Sequence, residues 1–214
     1  MSDDFSSILE SDKIHKSHLD KRVSYKLIQM ILGGSVIYLA LNDLNLVDQY
    51  ATSLPQTYPL PSNIFKFRHQ FIMGFAIVCI VYAALLSCFF LVLNSSDKET
   101  SEEDDTLDVD LRRRRFLRTN KLITKASVVA DILLMILWAS ASSGFLFPIS
   151  NNDVILDVKS ISCQAAHDSQ IANQAPWREI CNGSQSLILL GYTLCGSFLF
   201  SSVYSLMYLS KNGN

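Results

Sequence analysis

The sequence has little charge, and the charge that it has is balanced. Only 18% of its 214 residues are Asp, Glu, Lys or Arg, and 18 basic residues stand against 20 acidic ones, giving a formal net charge of -2. A nucleic-acid-binding domain needs a basic face, so that class of protein is disfavoured. Hydrophobic residues make up 49% of the chain, which excludes disorder along its whole length. This composition is typical of a membrane protein.

Motifs that carry catalysis or bind metals are also missing. The sequence has no Gly-rich phosphate loop, HExxH pair, Cys-x-x-Cys pair or Gly-x-Ser-x-Gly elbow. Its four histidines are dispersed, and the polar setting of His15 and His18 favours a solvated pair over a metal site. The segments between the hydrophobic runs are too short to build a pocket. We therefore expect a protein that is not an enzyme and that binds neither a metal nor a cofactor.

What the sequence does contain is four long apolar runs. A bilayer core about 30 Å thick is crossed by roughly 20 residues of helix. The four runs of about this length are residues 27–46, 71–93, 126–147 and 186–209. A soluble helical bundle would need a polar stripe along each helix, whereas the second run is apolar all round. The predicted fold is an all-α membrane protein, a bundle of four transmembrane helices.

Basic residues lie mostly on one side of the four predicted spans. Fourteen of the 18 Lys and Arg residues fall in the polar tail 1–26, in the charged connection 94–125 or in the last residues 211–214. Because such segments stay in the cytosol, both termini and the connection are predicted to be cytosolic. Residues 27–210 would then form one four-span domain. We expect it in the plasma membrane or in a membrane of the secretory pathway.

The loop before the fourth span is predicted to lie outside, where disulfides and N-glycans form. It contains Cys163 and Cys181, and a bridge between them would contribute on the order of 3 kcal/mol by closing the loop. Asn182 begins an Asn-Gly-Ser triplet, so we predict that Asn182 is N-glycosylated. The other three cysteines lie within the spans and are expected to act as small apolar side chains.

Asp131 is the one carboxylate well inside an apolar run, and it has two interpretations. Burial in hydrocarbon is costly for a carboxylate, so Asp131 should face other helices or a cation. Arg22, Lys26 and Lys125 are the cations within reach. A proton or ion site would need further polar groups along a path, and the sequence continues none beyond Asp131. An interhelical polar contact is therefore favoured.

The basic end of the charged connection also has two interpretations. Its arginines fix the orientation of the chain, and they also suit contact with anionic headgroups of the inner leaflet, at about 1 kcal/mol each. These arginines are Arg112, Arg113, Arg114, Arg115 and Arg118.

Small residues in the spans predict where helices approach one another closely. The predicted packing residues are Gly33, Gly34, Gly144, Gly191, Ser197, Ser201 and Ser205. Whether the facing helix belongs to this chain or to a second copy stays open.

Two stretches of sequence resemble the MARVEL domain family, in particular its fungal members. The first (KRVSYKLIQMILGGSVIYLAL) is similar to the family's basic opening followed by a Gln-containing apolar helix. In the second (VVADILLMILWASASSGF), an acidic residue precedes an apolar stretch, Trp138 and a run of small residues. The resemblance covers about residues 21–210. It implies a scaffold that organises membrane domains, vesicle traffic or lateral protein assemblies without chemistry of its own.

The related Casparian-strip membrane domain proteins have an acidic residue in the third span and a basic residue in the first. Asp131 matches the acidic residue, whereas Arg22 and Lys26 lie at the edge of the first predicted span.

Two other functions stay open: a small transporter or channel subunit that uses Asp131, and an auxiliary subunit of a membrane enzyme complex. The expected partners are the lipid bilayer, including anionic inner-leaflet lipids, and other membrane proteins or a second copy of the chain.

Overall fold

Four long α-helices make up most of the computed structural model. It describes the backbone of residues 2–53, 63–143, 153–156, 159–162 and 175–211, and the side chains of residues 20–49, 63, 65–92, 118–143 and 179–210. The helices are α1 (Ser2–Ser53), α2 (Asn63–Thr100), α3 (Leu107–Ser142) and α4 (Ala175–Lys211). Between α3 and α4, β1 (Asp153–Leu156) pairs antiparallel with β2 (Lys159–Ser162), with Val154 opposite Ile161.

Each helix contains a segment that is long and apolar enough to cross a membrane. These segments are Asp20–Gln49, Phe65–Val92, Arg118–Ser142 and Glu179–Ser210. The prediction of four membrane-length helices is confirmed. The chain therefore has the architecture of a multi-pass membrane protein, with apolar helices suited to contact with a lipid bilayer.

The helices differ from the predicted spans at their ends. Helix α1 extends well before the predicted start of the first span at residue 27, so Arg22 and Lys26 lie inside a continuous helix, and both side chains are buried. α1 itself runs from Ser2 to Ser53, and Pro55 follows in the sequence, where a proline disfavours further helix. α3 ends at Ser142, short of the predicted residue 147.

The charged connection and the predicted outer loop are also more helical than expected. Residues 94–100 continue α2, and residues from Leu107 onward belong to α3. Helix persists through this charged sequence because Glu, Lys and Arg have high helix propensity. In the predicted loop 148–185, α4 already begins at Ala175, after the β1–β2 hairpin.

The described helices are apolar on their exposed faces and carry polar residues on their buried ones. Ile31, Leu85 and Leu189 are each more than 65% exposed (69%, 67% and 68%), whereas Lys26 and Asp131 are each 1% exposed. In water-soluble proteins, charged side chains are almost never buried to this extent, and large apolar patches are rarely exposed. The distribution fits a protein whose outer surface contacts lipid.

Buried positions along α1 alternate in steps of four and three residues. They are Arg22, Lys26, Gln29, Gly33, Val36, Ala40, Asp43 and Val47. α4 repeats the spacing over Leu187, Gly191, Leu194, Phe198, Ser201 and Ser205. A spacing of 3.5 residues keeps one face of a helix directed at its neighbours. Polar residues at these positions therefore become part of the interior.

The chain divides into two compact units, and every long helix contributes to both. Unit 1 consists of residues 1–30, 81–134 and 197–214, and unit 2 of residues 31–80 and 135–196. In unit 1, the buried Phe90 contacts four apolar side chains, those of Val23, Leu86, Phe89 and Ile123. In unit 2, the rings of Phe75 and Trp138 lie 5.0 Å apart, and Trp138 Nε1 donates to Cys79 Sγ at 3.1 Å.

Candidate functional site

A buried ion pair lies within unit 1. Lys26 Nζ of α1 donates to both carboxylate oxygens of Asp131 in α3, at 2.6 Å and 2.9 Å. It also donates to Gln29 Oε1 at 3.1 Å. Because both charged groups are buried, each needs the other to compensate for its lost solvation. The pair therefore fixes α1 against α3 at this level.

The carboxylate of Asp131 accepts two further hydrogen bonds. The Tyr82 hydroxyl of α2 donates to Oδ1 at 2.8 Å, and the Ser201 hydroxyl of α4 donates to Oδ2 at 2.7 Å. Each oxygen thus accepts one bond from Lys26 and one from a hydroxyl group. We call Lys26, Gln29, Tyr82, Asp131 and Ser201 the Asp131 cluster. It joins segments of all four helices.

Arg22 lies one turn before Lys26 and connects the same two helices. Its guanidinium donates to Thr124 Oγ1 at 2.8 Å and to Ser127 Oγ at 2.7 Å, and it stacks over the Phe90 ring at 4.1 Å from the centroid. The planar guanidinium can make both kinds of contact at once. Arg22 therefore contributes hydrogen bonds and packing inside unit 1.

Unit 2 contains a separate buried polar pair, formed by Asp43 of α1 and His69 of α2. His69 Nδ1 lies 3.0 Å from the Phe65 carbonyl oxygen, which can only accept, so Nδ1 carries a hydrogen. His69 Nε2 lies 3.1 Å from Asp43 Oδ2. A hydrogen bond between these atoms requires one further proton, held by either the histidine or the carboxyl group. The pair is neutral in sum in both cases.

A crevice in unit 2 lies beside this pair. Polar side chains of Arg68, His69, Ser142 and Ser184 line it together with apolar ones. The apolar lining residues are Ile72, Trp138, Ala141, Leu187 and Ile188. The crevice has room for about one water-sized group. Among the side chains that the structure describes, no group of three or more His, Cys, Asp or Glu residues is placed to hold a metal ion.

The predicted polar contact residue and the predicted serine stripe come together in unit 1. Asp131 and Ser201 bond directly, as described above. Ser205 is buried one turn further along α4, and Ser197 is partly exposed one turn before. The hydroxyl of Ser201 is therefore used within this chain.

The predicted packing glycines have different surroundings. At Gly191, an added Cβ would overlap Ser142 Oγ, so α3 and α4 approach closely there. At Gly33, an added Cβ would lie 2.9 Å from Ile80 Cγ1 of α2. At Gly34, by contrast, it would meet nothing within 4 Å. Gly34 therefore does not pack against the described part of this chain, and Gly144 lies outside the described residues.

The cysteine and glycosylation predictions fall partly outside the described residues. Cys181 is buried, and Cys79, Cys88 and Cys195 are not part of a disulfide. Cys163 lies outside the described residues, so its pairing with Cys181 stays a prediction. Asn182 is exposed, but it lies within α4 and not in a loop.

The arginines of the charged connection lie on α3. Arg118 is exposed. The side chains of Arg112, Arg113, Arg114 and Arg115 lie outside the described residues. Contact of these arginines with lipid headgroups stays a prediction.

Several polar residues of both units have no counterpart among the predicted site residues. They are Gln29, Asp43, Arg68, His69 and Tyr82, whereas Arg22 and Lys26 were predicted only as cations within reach of Asp131. Arg22, Lys26, Gln29 and Asp43 all follow the alternating four- and three-residue spacing of α1, which is readable in the sequence. That spacing was the available signal. A search for uninterrupted apolar runs misses this spacing, because it places polar residues of this kind at the ends of the spans.

Comparisons of the chain with protein-family models, with curated proteins and with solved structures find no match. The resemblance to the MARVEL domain family therefore rests on the two stretches of sequence quoted above.

Proposed function

We propose that this protein is an integral membrane scaffold or trafficking protein that organises membrane domains or protein assemblies through lateral helix contacts. The observation that carries the proposal is the closed Asp131 cluster. Both oxygens of the Asp131 carboxylate are occupied by donors of the same chain, from Lys26, Tyr82 and Ser201. A carboxylate engaged in this way stabilises a helix arrangement and is not free to bind a transported ion.

The exposed face of α1 offers a surface for a lateral contact. It includes Ile31, Gly34, Tyr38 and Leu41, and a Cβ added at Gly34 would meet nothing within 4 Å. In lipid, helices associate through van der Waals packing, which is closest where a small residue lets two backbones approach. Gly34 is such a position on an otherwise bulky apolar face. The resemblance to the MARVEL family agrees with a scaffold of this kind.

Self-association in vesicles tests this proposal. Copies labelled with donor and acceptor fluorophores are reconstituted in phosphatidylcholine vesicles, and energy transfer is measured as the protein-to-lipid ratio is varied. We expect transfer above the random-collision level for the natural chain and a clear loss of transfer for Gly34→Leu. Val129→Leu is the matched control, because Val129 is 59% exposed on α3 and is not part of the α1 face. Transfer that is unchanged in Gly34→Leu would contradict a contact through α1.

The same vesicles separate the scaffold from the transporter subunit. If the chain uses Asp131 for transport, ion or proton flux will be measurable and will disappear in Asp131→Asn. The scaffold proposal expects no flux in either form.

An auxiliary subunit of an enzyme complex would instead co-purify with one enzyme in mild detergent, at a fixed ratio.

A further inference from the structure

Arg68 of α2 is a buried cation without a counter-charge. Its side chain is only 7% exposed and lines the crevice of unit 2. Within the part of the chain that the structure describes, its guanidinium makes no hydrogen bond or ion pair. Buried arginines are normally paired, since a guanidinium has five N–H donors and always carries its charge. The lack of a counter-charge for Arg68 therefore requires an explanation.

The charged neighbours of Arg68 do not compensate for it. With one proton between Asp43 Oδ2 and His69 Nε2, the pair of Asp43 and His69 is neutral in sum. Lys66 and Asp48 form an exposed pair at 2.8 Å, which also sums to zero. The positive charge of Arg68 is thus left over among these groups, and a bound anion would balance it.

Two hydroxyl groups extend the donor set of the crevice. Ser184 Oγ of α4 is buried and has no hydrogen-bond partner, and Ser142 of α3 is buried on the same crevice wall. Each hydroxyl has a hydrogen to donate. The remaining wall is apolar and includes Ile72, Trp138 and Leu187. The guanidinium group of Arg68, two hydroxyl groups and an apolar wall together suit an oxyanion attached to an apolar group.

We propose that the Arg68 crevice binds a phosphate group, with Arg68 as counter-charge and Ser142 and Ser184 as further hydrogen-bond donors. Because the crevice has room for about one water-sized group, a terminal phosphate oxygen enters it and the remaining atoms stay at its mouth. The phosphate belongs either to a lipid headgroup or to a free anion. This site is independent of the scaffold proposal, which rests on the Asp131 cluster and the exposed face of α1.

Ligand-dependent thermal unfolding of the full chain in a neutral detergent tests the site. The probes are short-chain phosphatidic acid, inorganic phosphate and, as a zwitterionic comparison, phosphatidylcholine of the same chain length. Ligands that bind only the folded state raise the unfolding midpoint in proportion to their occupancy. We expect phosphatidic acid, inorganic phosphate or both to raise the midpoint more than phosphatidylcholine does. A rise with inorganic phosphate alone would identify a free-anion site, and a rise with phosphatidic acid only would identify a headgroup site.

Variants connect the response to the crevice. We expect Arg68→Gln to weaken the apparent affinity by about tenfold or more, since hydrogen bonds to a charged group are lost. Lys66→Gln is the matched control, because it removes the same charge two residues earlier from a side chain that is 39% exposed. It should leave the affinity unchanged. If Arg68→Gln does not fold, the Ser142→Ala/Ser184→Ala variant, which keeps every charge, must still weaken binding.

Two results would overturn the proposal. One is the absence of any midpoint rise with both phosphatidic acid and inorganic phosphate. The other is a response of the same affinity in the natural chain and in the crevice variants, since the bound anion would then lie elsewhere.

Discussion

At the scale of single residues, the main feature of unit 1 is a pair of charged side chains that are buried and partner one another. Lys26 and Asp131 satisfy one another, and hydroxyl groups of Tyr82 and Ser201 complete the carboxylate's hydrogen bonds. Removing one partner of such a pair leaves a buried charge uncompensated, which costs more than the intact pair contributes. The effect of a substitution on stability therefore depends on whether it leaves an unpaired charge buried.

Asp131→Asn tests this dependence. We expect it to lower the free energy of unfolding by about 3 kcal/mol or more, because Lys26 stays buried with its charge. Lys26→Met/Asp131→Asn should lose less than Asp131→Asn alone, since no buried charge remains. Lys66→Gln, which breaks the exposed pair with Asp48, should cost about 1 kcal/mol or less. Unfolding in mixed micelles measures all three. A double variant that is less stable than Asp131→Asn would show that the hydrogen bonds outweigh the unpaired charge.

The sequence was sufficient to single out Asp131 but not to choose its cation. A carboxylate inside an apolar run must be partnered, and this requirement is independent of the fold. Arg22, Lys26 and Lys125 were all within reach along the chain. The choice depends on which faces of α1 and α3 meet, and that is a property of the packed helices. The pair of Asp43 and His69 was missed for the same reason, because these residues are distant in sequence and each lies near a span end.

At the scale of the helices, close approach is concentrated at a few glycines. Gly191 of α4 lies against Ser142 of α3, and Gly183 of α4 lies against the Asp43 carboxylate, so an added Cβ would overlap a side chain at both positions. Gly34 has open space instead. Glycines in apolar helices therefore fall into two groups, those that bring helices of this chain together and those on its outer surface.

A pair of alanine substitutions distinguishes the two groups. Gly191→Ala should destabilise the protein, by about 1 to 3 kcal/mol, because the new methyl group overlaps Ser142 Oγ. Gly34→Ala should be neutral or slightly stabilising, since alanine has the higher helix propensity and the space is open. Thermal unfolding of the detergent-solubilised chain measures both.

Combining Ser142→Ala with Gly191→Ala shows whether the Ser142 hydroxyl causes the loss of stability. Ser142→Ala removes the atom that the new methyl group would meet, so Gly191→Ala/Ser142→Ala should regain most of the stability that Gly191→Ala loses. Failure of this rescue would mean that the backbone approach itself, and not the hydroxyl, sets the requirement for glycine.

The number of helices was predictable from the sequence, and their ends were less so. Runs of about 20 apolar residues are a strong signal, because the hydrocarbon core of a bilayer has a nearly constant thickness and disfavours charged residues. The ends have no comparable signal: α1 and α3 continue through polar and charged sequence because their residues favour helix. The hairpin of β1 and β2 was not predicted either, since its strands are only four residues long.

At the scale of the whole molecule, the predicted orientation in the membrane rests on the distribution of basic residues. The strong excess of Lys and Arg in the tail 1–26 and the connection 94–125 predicts that both termini lie in the cytosol. An even number of spans is consistent with this arrangement, because both ends of the chain then emerge on the same side.

Reporter fusions test the orientation directly. A reporter that is active only in the cytosol should be active at either terminus. The same reporter inserted between β1 and β2 should be inactive there. Asn182→Gln should also abolish any N-glycan-dependent mobility shift, since Asn182 is predicted to lie on the outer side. A terminal reporter found outside the cell would contradict the orientation and, with it, the predicted bridge between Cys163 and Cys181.

The apolar outer faces of the helices also have an evolutionary consequence. Acyl chains are fluid and conform to almost any hydrocarbon outline, so Leu, Ile, Val and Phe can replace one another at positions such as Ile31, Leu85 and Leu189 with little penalty. The interior tolerates far less, because a change of Lys26 or Asp131 alone leaves a buried charge without its partner. Over long times, such a chain would drift widely on its outside while a few inward-facing polar atoms kept their identities.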